Sequence, residues 1–205
     1  MTTGFTRHRR SKAMVASFSA FEADLLRSLA GQLVELLRNE AAMPPDEHED
    51  PSSPDALEAM LAGIDGSGPT AAPEDPVLAR LFPTAYDEPQ DEEAAGDFRR
   101  FTEQSLRDGK ARAAAAVIDT LEESGLPDNP PDGMFIDVEL DAPQAQTWLR
   151  AFNDMRLAIG TRLEVTDGDE DVWESLPEDD PRAPVHEIYD WLGFVQETLV
   201  RALMR

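Results

Sequence analysis

Apolar residues recur at three- and four-residue steps in four long stretches of this chain, a spacing that places them on single helix faces. The first stretch predicts a helix from about Ser19 to Asn39. Phe18, Phe21, Leu25, Leu29, Leu33 and Leu36 form its inward stripe, widened by Leu26, Val34 and Leu37. Ser19 and Glu22 make an S-x-x-E capping box, in which each side chain satisfies a free amide at the helix start. A second helix is expected over about Asp91 to Ser124, with an acidic first turn that suits the positive helix end. Phe98, Phe101, Leu106, Ala113, Val117 and Leu121 are its expected inward residues. Gly109 weakens the middle by about 1 kcal/mol against alanine and marks a place for a kink. Gly125 and Pro127 supply the stop. Asp141 and Gln144 box the start of a third helix, whose stripe is Ala145, Trp148, Phe152, Met155 and Ile159. The last helix carries Val185, Ile188, Leu192, Val195, Leu199 and Leu203 in line, with Trp191 and Phe194 off it.

Between these stretches the pattern lapses. From Pro44 to Asp75 prolines and the acidic run Asp46 to Asp50 interrupt it, a composition that buries too little surface to offset ordering entropy. Short helical turns are predicted at Ala56 to Ile64 and at Asp75 to Phe82, the second with Asp75 as N-cap and Pro76 at the first helical position. Ile136, Val138 and Leu140 alternate with acids as a strand would, but one strand has nothing to pair with, so an extended connector is expected. The fold class read from the pattern is all-α, a bundle of four long helices plus short ones. Residues 1–17 read as a flexible basic arm. Residues 18–205 read as one helical domain with mobile loops at about 40–75 and 164–183.

Charge changes the picture of what the domain meets. The chain carries 42 Asp and Glu against 18 Lys and Arg, a net charge of -24, with a mean hydropathy of -0.43. Broad phosphate neutralisation is disfavoured, whereas a basic protein surface would be attracted. Zero cysteines exclude disulfides, thiolate nucleophiles and Cys-ligated metals in this chain. They fit a reducing compartment, and a cytoplasmic protein is expected. No apolar run approaches the roughly 20 residues needed to span a bilayer. The basic start before Ala13 to Phe21 resembles the opening of a signal peptide, but Glu22 and Asp24 stand where small cleavage-site residues belong.

Candidate chemistry is sparse. His8, His48 and His186 sit in no metal-ligand spacing, and neither a nucleophile elbow nor a phosphate loop is present. Asp167, Asp169, Asp171 and Glu178 match four EF-hand positions, but Val172 replaces the required glycine. No cofactor or metal is expected. The third helix carries a polar set, Arg150, Asn153, Asp154 and Arg156, and Arg156 is placed to pair with Glu187 or Asp190 of the last helix. A polar network locking two helices is the simpler reading of that set. Exposed members of it, together with Trp191, are the expected partner-binding residues. The leading expectation is a non-enzymatic regulator working by protein contact. A DNA-binding regulator using Arg7, Arg9, Arg10 and Lys12 is one alternative, and a carboxylate/His enzyme or metal protein is another.

Several segments together resemble an actinobacterial family, the AosR-like oxidative-stress regulators. They are Phe21 to Leu26, Asp75 to Pro83, Phe98 to Glu103, Trp148 to Leu163 and Tyr189 to Leu192, of which the Trp148 run is the most specific. The resemblance implies a regulator acting with the transcription machinery through a sigma factor or RNA polymerase. The redox-sensing version of the family uses a cysteine pair, which this chain lacks, so that switch cannot operate here.

Overall fold

A computed structural model of the chain describes residues 2–39, 68–85, 91–169, 172–173, 175–177 and 179–205. In chain order the elements are β1 (Thr6–Arg7), β2 (Met14–Ser19), α1 (Ala20–Asn39), α2 (Pro76–Leu81), α3 (Glu92–Glu123), β3 (Phe135–Leu140), α4 (Ala142–Leu163) and α5 (Ala183–Leu203). The expected Ala56 to Ile64 turn and most of the 40–75 loop lie outside the described residues.

The protein is mostly helical but not all-α. Its strands form an antiparallel sheet in the order β1-β2-β3, with Met14 opposite Leu140 and Ser19 opposite Phe135. The partner that the 135–140 strand needed therefore lies in the segment read as the end of a basic arm. Met14, Ala16 and Phe18 alternate inward with Val15, Ser17 and Ser19 outward, the period of a half-buried strand. Ile136, Val138 and Leu140 answer them from β3, all essentially fully buried. The first residues are tied down as well. Phe5 is buried, and its amide donates to Thr198 Oγ1 on α5 at 3.0 Å.

Helix ends follow the local chemistry. The Ser19 amide donates to Glu22 Oε2 at 2.9 Å and the Glu22 amide to Ser19 Oγ at 3.3 Å, so β2 passes into α1 through the expected box. Asp75 Oδ1 accepts from the amides of Val77 and Leu78. Asp141 and Gln144 form the second box at the start of α4.

The core centres on an aromatic cluster between sheet and α4. Trp148 is fully buried, with its ring 5.8 Å from Phe5, 6.4 Å from Phe18 and 5.6 Å from Phe152. Its indole donates to Thr120 Oγ1 of α3, so α3 and α4 are registered there.

Two expected inward stripes are corrected. Phe18 lies in β2, and Phe21 is 76% exposed; α1 buries Ala23, Leu26, Ala30, Leu33, Val34 and Leu37. Leu25, Leu29 and Leu36 are half-buried along an open apolar groove of about 510 Å³, shared with Ile159 of α4 and Val185 and Ile188 of α5. On α3, Phe98, Phe101 and Leu106 are exposed, while Arg99, Glu103 and Arg107 point inward. The reason is tertiary. Arg99 donates to the Phe82 carbonyl just past α2, and Arg107 to the Leu37 carbonyl in the last turn of α1. Helix C-termini leave carbonyls unpaired and carry partial negative charge, so they draw guanidiniums into the interior. Glu103 then bridges the two arginines, at 2.6 Å from Arg99 Nη1 and 2.7 Å from Arg107 Nη2. Gly109 makes no break in the helix, which runs through it unbroken.

Candidate functional site

From Phe98 to Thr120 one face of α3 carries no charge: Phe98, Thr102, Ser105, Leu106, Gly109, Ala113, Ala116 and Thr120, at helical spacing. Around it the helix is densely charged up to Arg112, whereas Ala113 to Ile118 carries no charge on any side. Where the face meets α4 it opens into a groove of about 450 Å³, walled by Ser105, Leu106 and Gly109 on one side and by Leu149, Arg150 and Asn153 on the other. Leu106 is 50% exposed at its edge. A Cβ built on Gly109 would meet nothing within 4 Å beyond its own helix, so no neighbour within the chain requires glycine there.

The floor is pinned by an ion pair. Lys110 Nζ stands 2.7 Å from Asp154 Oδ1, whose side chain is only 4% exposed. That contact ties α3 to α4 and cancels both charges. Arg150 and Asn153, by contrast, are exposed and make no hydrogen bond or ion pair among the described residues. They stand three residues apart on α4, so their side chains share a face above the groove. An unpaired guanidinium fork beside a groove with a glycine in its wall and its floor charges paired suits a helix that brings small or apolar residues and one carboxylate.

The structure thus brings Arg150, Asn153 and Asp154 together and adds Lys110, which the sequence reading had not singled out. Arg156 and Trp191 lie elsewhere. The expected pairing of Arg156 with Glu187 or Asp190 gives way to a different arrangement. Arg156 Nη1 donates to Gln196 Oε1 at 3.0 Å, and the guanidinium lies 4.7 Å from the Tyr189 ring centroid. Gly193 leaves it room, since a Cβ there would come within 3.3 Å of the guanidinium carbon. Trp191 is half-buried against the core, with its indole nitrogen buried and unpartnered among the described residues.

The remaining candidates carry structural contacts. His186 stacks on Trp173 at 4.5 Å and approaches Asp190 Oδ2 at 3.3 Å. His8 closes a turn through Ser11, and His48 lies outside the described residues. Of the EF-hand set, Asp171 and Glu178 are outside them too. Asp169 Oδ2 accepts from the Thr166 amide at 2.7 Å, and that bond first of all holds its carboxyl below the usual aspartate range. Among the described residues no cluster of three or more His, Cys, Asp or Glu is placed to hold a metal ion. No helix among them is long and apolar enough to cross a membrane.

Residues 2–203 match the family model described as a domain of unknown function, DUF2017. The chain belongs to the DUF2017 family. DUF2017 relatives include a Mycobacterium leprae protein of the AosR designation, 37% identical over 89% of this chain and 79% of its own length. The proteins named oxidative stress regulator AosR from Mycobacterium bovis and Mycobacterium tuberculosis (strain H37Rv) are each 33% identical, over 92% of this chain and 81% of theirs. No solved structure matches. The relatives are named as regulators, and this DUF2017 chain has no cysteine.

Proposed function

We propose that this chain is a non-enzymatic regulator of the stress response that acts by seating a helix of the transcription machinery, from a sigma factor or RNA polymerase, in the α3–α4 groove. The carrying observation is the unpaired Arg150–Asn153 edge beside the uncharged face of α3. The mycobacterial relatives support the regulatory part of the reading through their names. Uncharged helix faces with close-approach residues accept a second helix without burying unpaired charge, and an arginine fork fixes its register. The net charge of -24 adds attraction to a basic partner surface around that helix.

The test is direct binding of purified sigma factors and of core RNA polymerase from the source organism to the whole chain. Gly109→Leu fills the groove and Arg150→Glu reverses its free charge. Both variants are expected to weaken the complex by at least about tenfold, the scale of one well-placed contact. With no thiol in the chain, a reducing agent is expected to leave the affinity unchanged. If neither protein binds, or both variants bind as tightly as the parent, the groove is not the docking site.

A further inference from the structure

Residues 7–12 read Arg-His-Arg-Arg-Ser-Lys, and the structure makes them the tip of the β1–β2 hairpin. The tip is ordered by its own chemistry. The His8 amide donates to the Ala13 carbonyl at 2.8 Å and the Lys12 amide to the His8 carbonyl at 3.0 Å. His8 Nδ1 accepts from the Ser11 amide at 3.3 Å and lies 2.9 Å from the Ser11 hydroxyl. Lys12 takes a φ of 63°, the left-handed conformation that reverses the chain into β2.

The turn therefore spends its imidazole, hydroxyl and backbone on itself and presents Arg9, Arg10 and Lys12 to solvent. All three are exposed, and none makes an ion pair among the described residues. Arg7, half-buried at the base, leaves its Nε without a hydrogen-bond partner there. In a chain with 42 acids this is a conspicuous separation of charge. The nearest acids along the sheet are Glu139 and Asp141, which flank Leu140 opposite Met14, and Asp141 is committed to the Gln144 amide as a helix cap.

We propose that this hairpin tip contacts the phosphate backbone of duplex nucleic acid. The inference rests on the proposed function only in that a regulator docked on the transcription machinery is held within reach of DNA. Residues 8–12 offer no apolar side chain, so neither a protein groove nor a lipid bilayer gains an anchor from them. They offer point charges on a rigid turn, and a duplex supplies phosphates at about one per 1.7 Å of axis. The contact positions and does not read sequence. The rest of the chain opposes it: removing the four cations leaves 14 bases (18 − 4) against 42 acids, a net of -28 (−24 − 4). Binding is accordingly local, weak and salt-sensitive. Three phosphate contacts give a slope of about −2.7 in log affinity against log salt, so raising salt from about 50 to about 200 mM weakens binding about 40-fold.

The experiment is fluorescence anisotropy of a labelled short duplex of arbitrary sequence, titrated with the full chain across that salt range. The parent is expected to follow the slope. Arg9→Ala/Arg10→Ala/Lys12→Ala is expected to lose at least about tenfold in affinity and to flatten the slope, with an unchanged melting temperature because the side chains are solvated. Arg9→Lys/Arg10→Lys keeps the charge and keeps the slope. Absence of duplex binding at the lowest salt overturns the proposal. So does a triple variant that binds like the parent, or tighter tip-dependent binding to phosphatidylserine vesicles than to the duplex. Gly109→Leu separates the two readings: it is expected to weaken sigma-factor or polymerase binding and to bind duplex as the parent does. A parent that binds duplex but neither protein refutes the groove alone, and one that binds a protein but no duplex refutes the tip alone.

Discussion

Truncating Glu103 to alanine would leave two guanidiniums inside the molecule without their shared carboxylate. The Glu103 side chain is 3% exposed, and those of Arg99 and Arg107 are 7% exposed. Removing one partner from a buried ion pair costs about 3–5 kcal/mol, because the remaining charge keeps its desolvation penalty. Both arginines retain carbonyl acceptors, Phe82 at 3.2 Å and Leu37 at 3.4 Å, which sets the expectation near the lower bound, about 3 kcal/mol. That is a large share of a typical folding free energy of about 5–15 kcal/mol. At about 2–4 °C per kcal/mol for a chain of this size, the melting temperature should drop by about 6–12 °C. Urea unfolding followed by far-ultraviolet circular dichroism measures the change. A companion variant isolates the cause. Arg99→Met/Glu103→Leu/Arg107→Met removes all three charges and is expected to lie within about 2 kcal/mol of the parent, since buried charge clusters are often replaceable by apolar side chains. A cost below about 1 kcal/mol for Glu103→Ala would refute the reasoning, as would a triple variant less stable than the single one.

Gly109→Ala is expected to stabilise the fold by about 1 kcal/mol, because its Cβ has open space and glycine is the poorer helix former; calorimetry reads the sign. Gly4→Ala should do the reverse, by at least about 2 kcal/mol, since φ is 75° and a Cβ would stand 2.5 Å from Thr198 Oγ1. Burial raises the pKa of Glu22, but hydrogen bonds from the Thr2 and Ser19 amides and the Ser19 hydroxyl outweigh it and hold the carboxyl below its ordinary value. A depressed folded pKa means the contribution is complete above the unfolded value, about 4.5, and is lost as pH falls through the folded one. Glu22→Gln should therefore flatten the acid limb of a stability-against-pH curve while lowering stability at neutral pH.

What could be read in advance depended on how far apart in sequence the deciding groups lie. The boxes Ser19/Glu22 and Asp141/Gln144 and the Asp75 cap are complete within four residues, so spacing alone identified them. The sheet was missed because β2 and β3 are separated by most of the chain, and the alternation of Met14, Ala16 and Phe18 merges into the helical pattern that follows. The inward arginines of α3 were missed for a related reason. Phe98 and Phe101 look buried by hydrophobicity, whereas Arg99 and Arg107 are recruited by carbonyls at the ends of two other helices. At the candidate site, Arg150, Asn153 and Asp154 were legible as a polar set on an amphipathic helix. Lys110 and the meaning of Gly109 needed the neighbouring helix: read alone, Gly109 suggests a kink, and beside α4 it is the wall of a groove.

The placement of charge orders the two proposed contacts. At physiological salt, fields decay over about 8 Å, so the net charge of -24 acts on approach and the local residues decide docking. On approach the chain favours basic partner surfaces and disfavours nucleic acid. In contact, the α3 face carries no carboxylate to repel a docked helix, and the hairpin tip carries cations alone. A basic partner seated on the chain neutralises part of the field that opposes the tip. Partner and duplex should then bind with positive coupling, and linkage requires the coupling to be equal from either side. The acidity thereby keeps the phosphate contact weak in the free chain and lets it tighten once the protein contact is made.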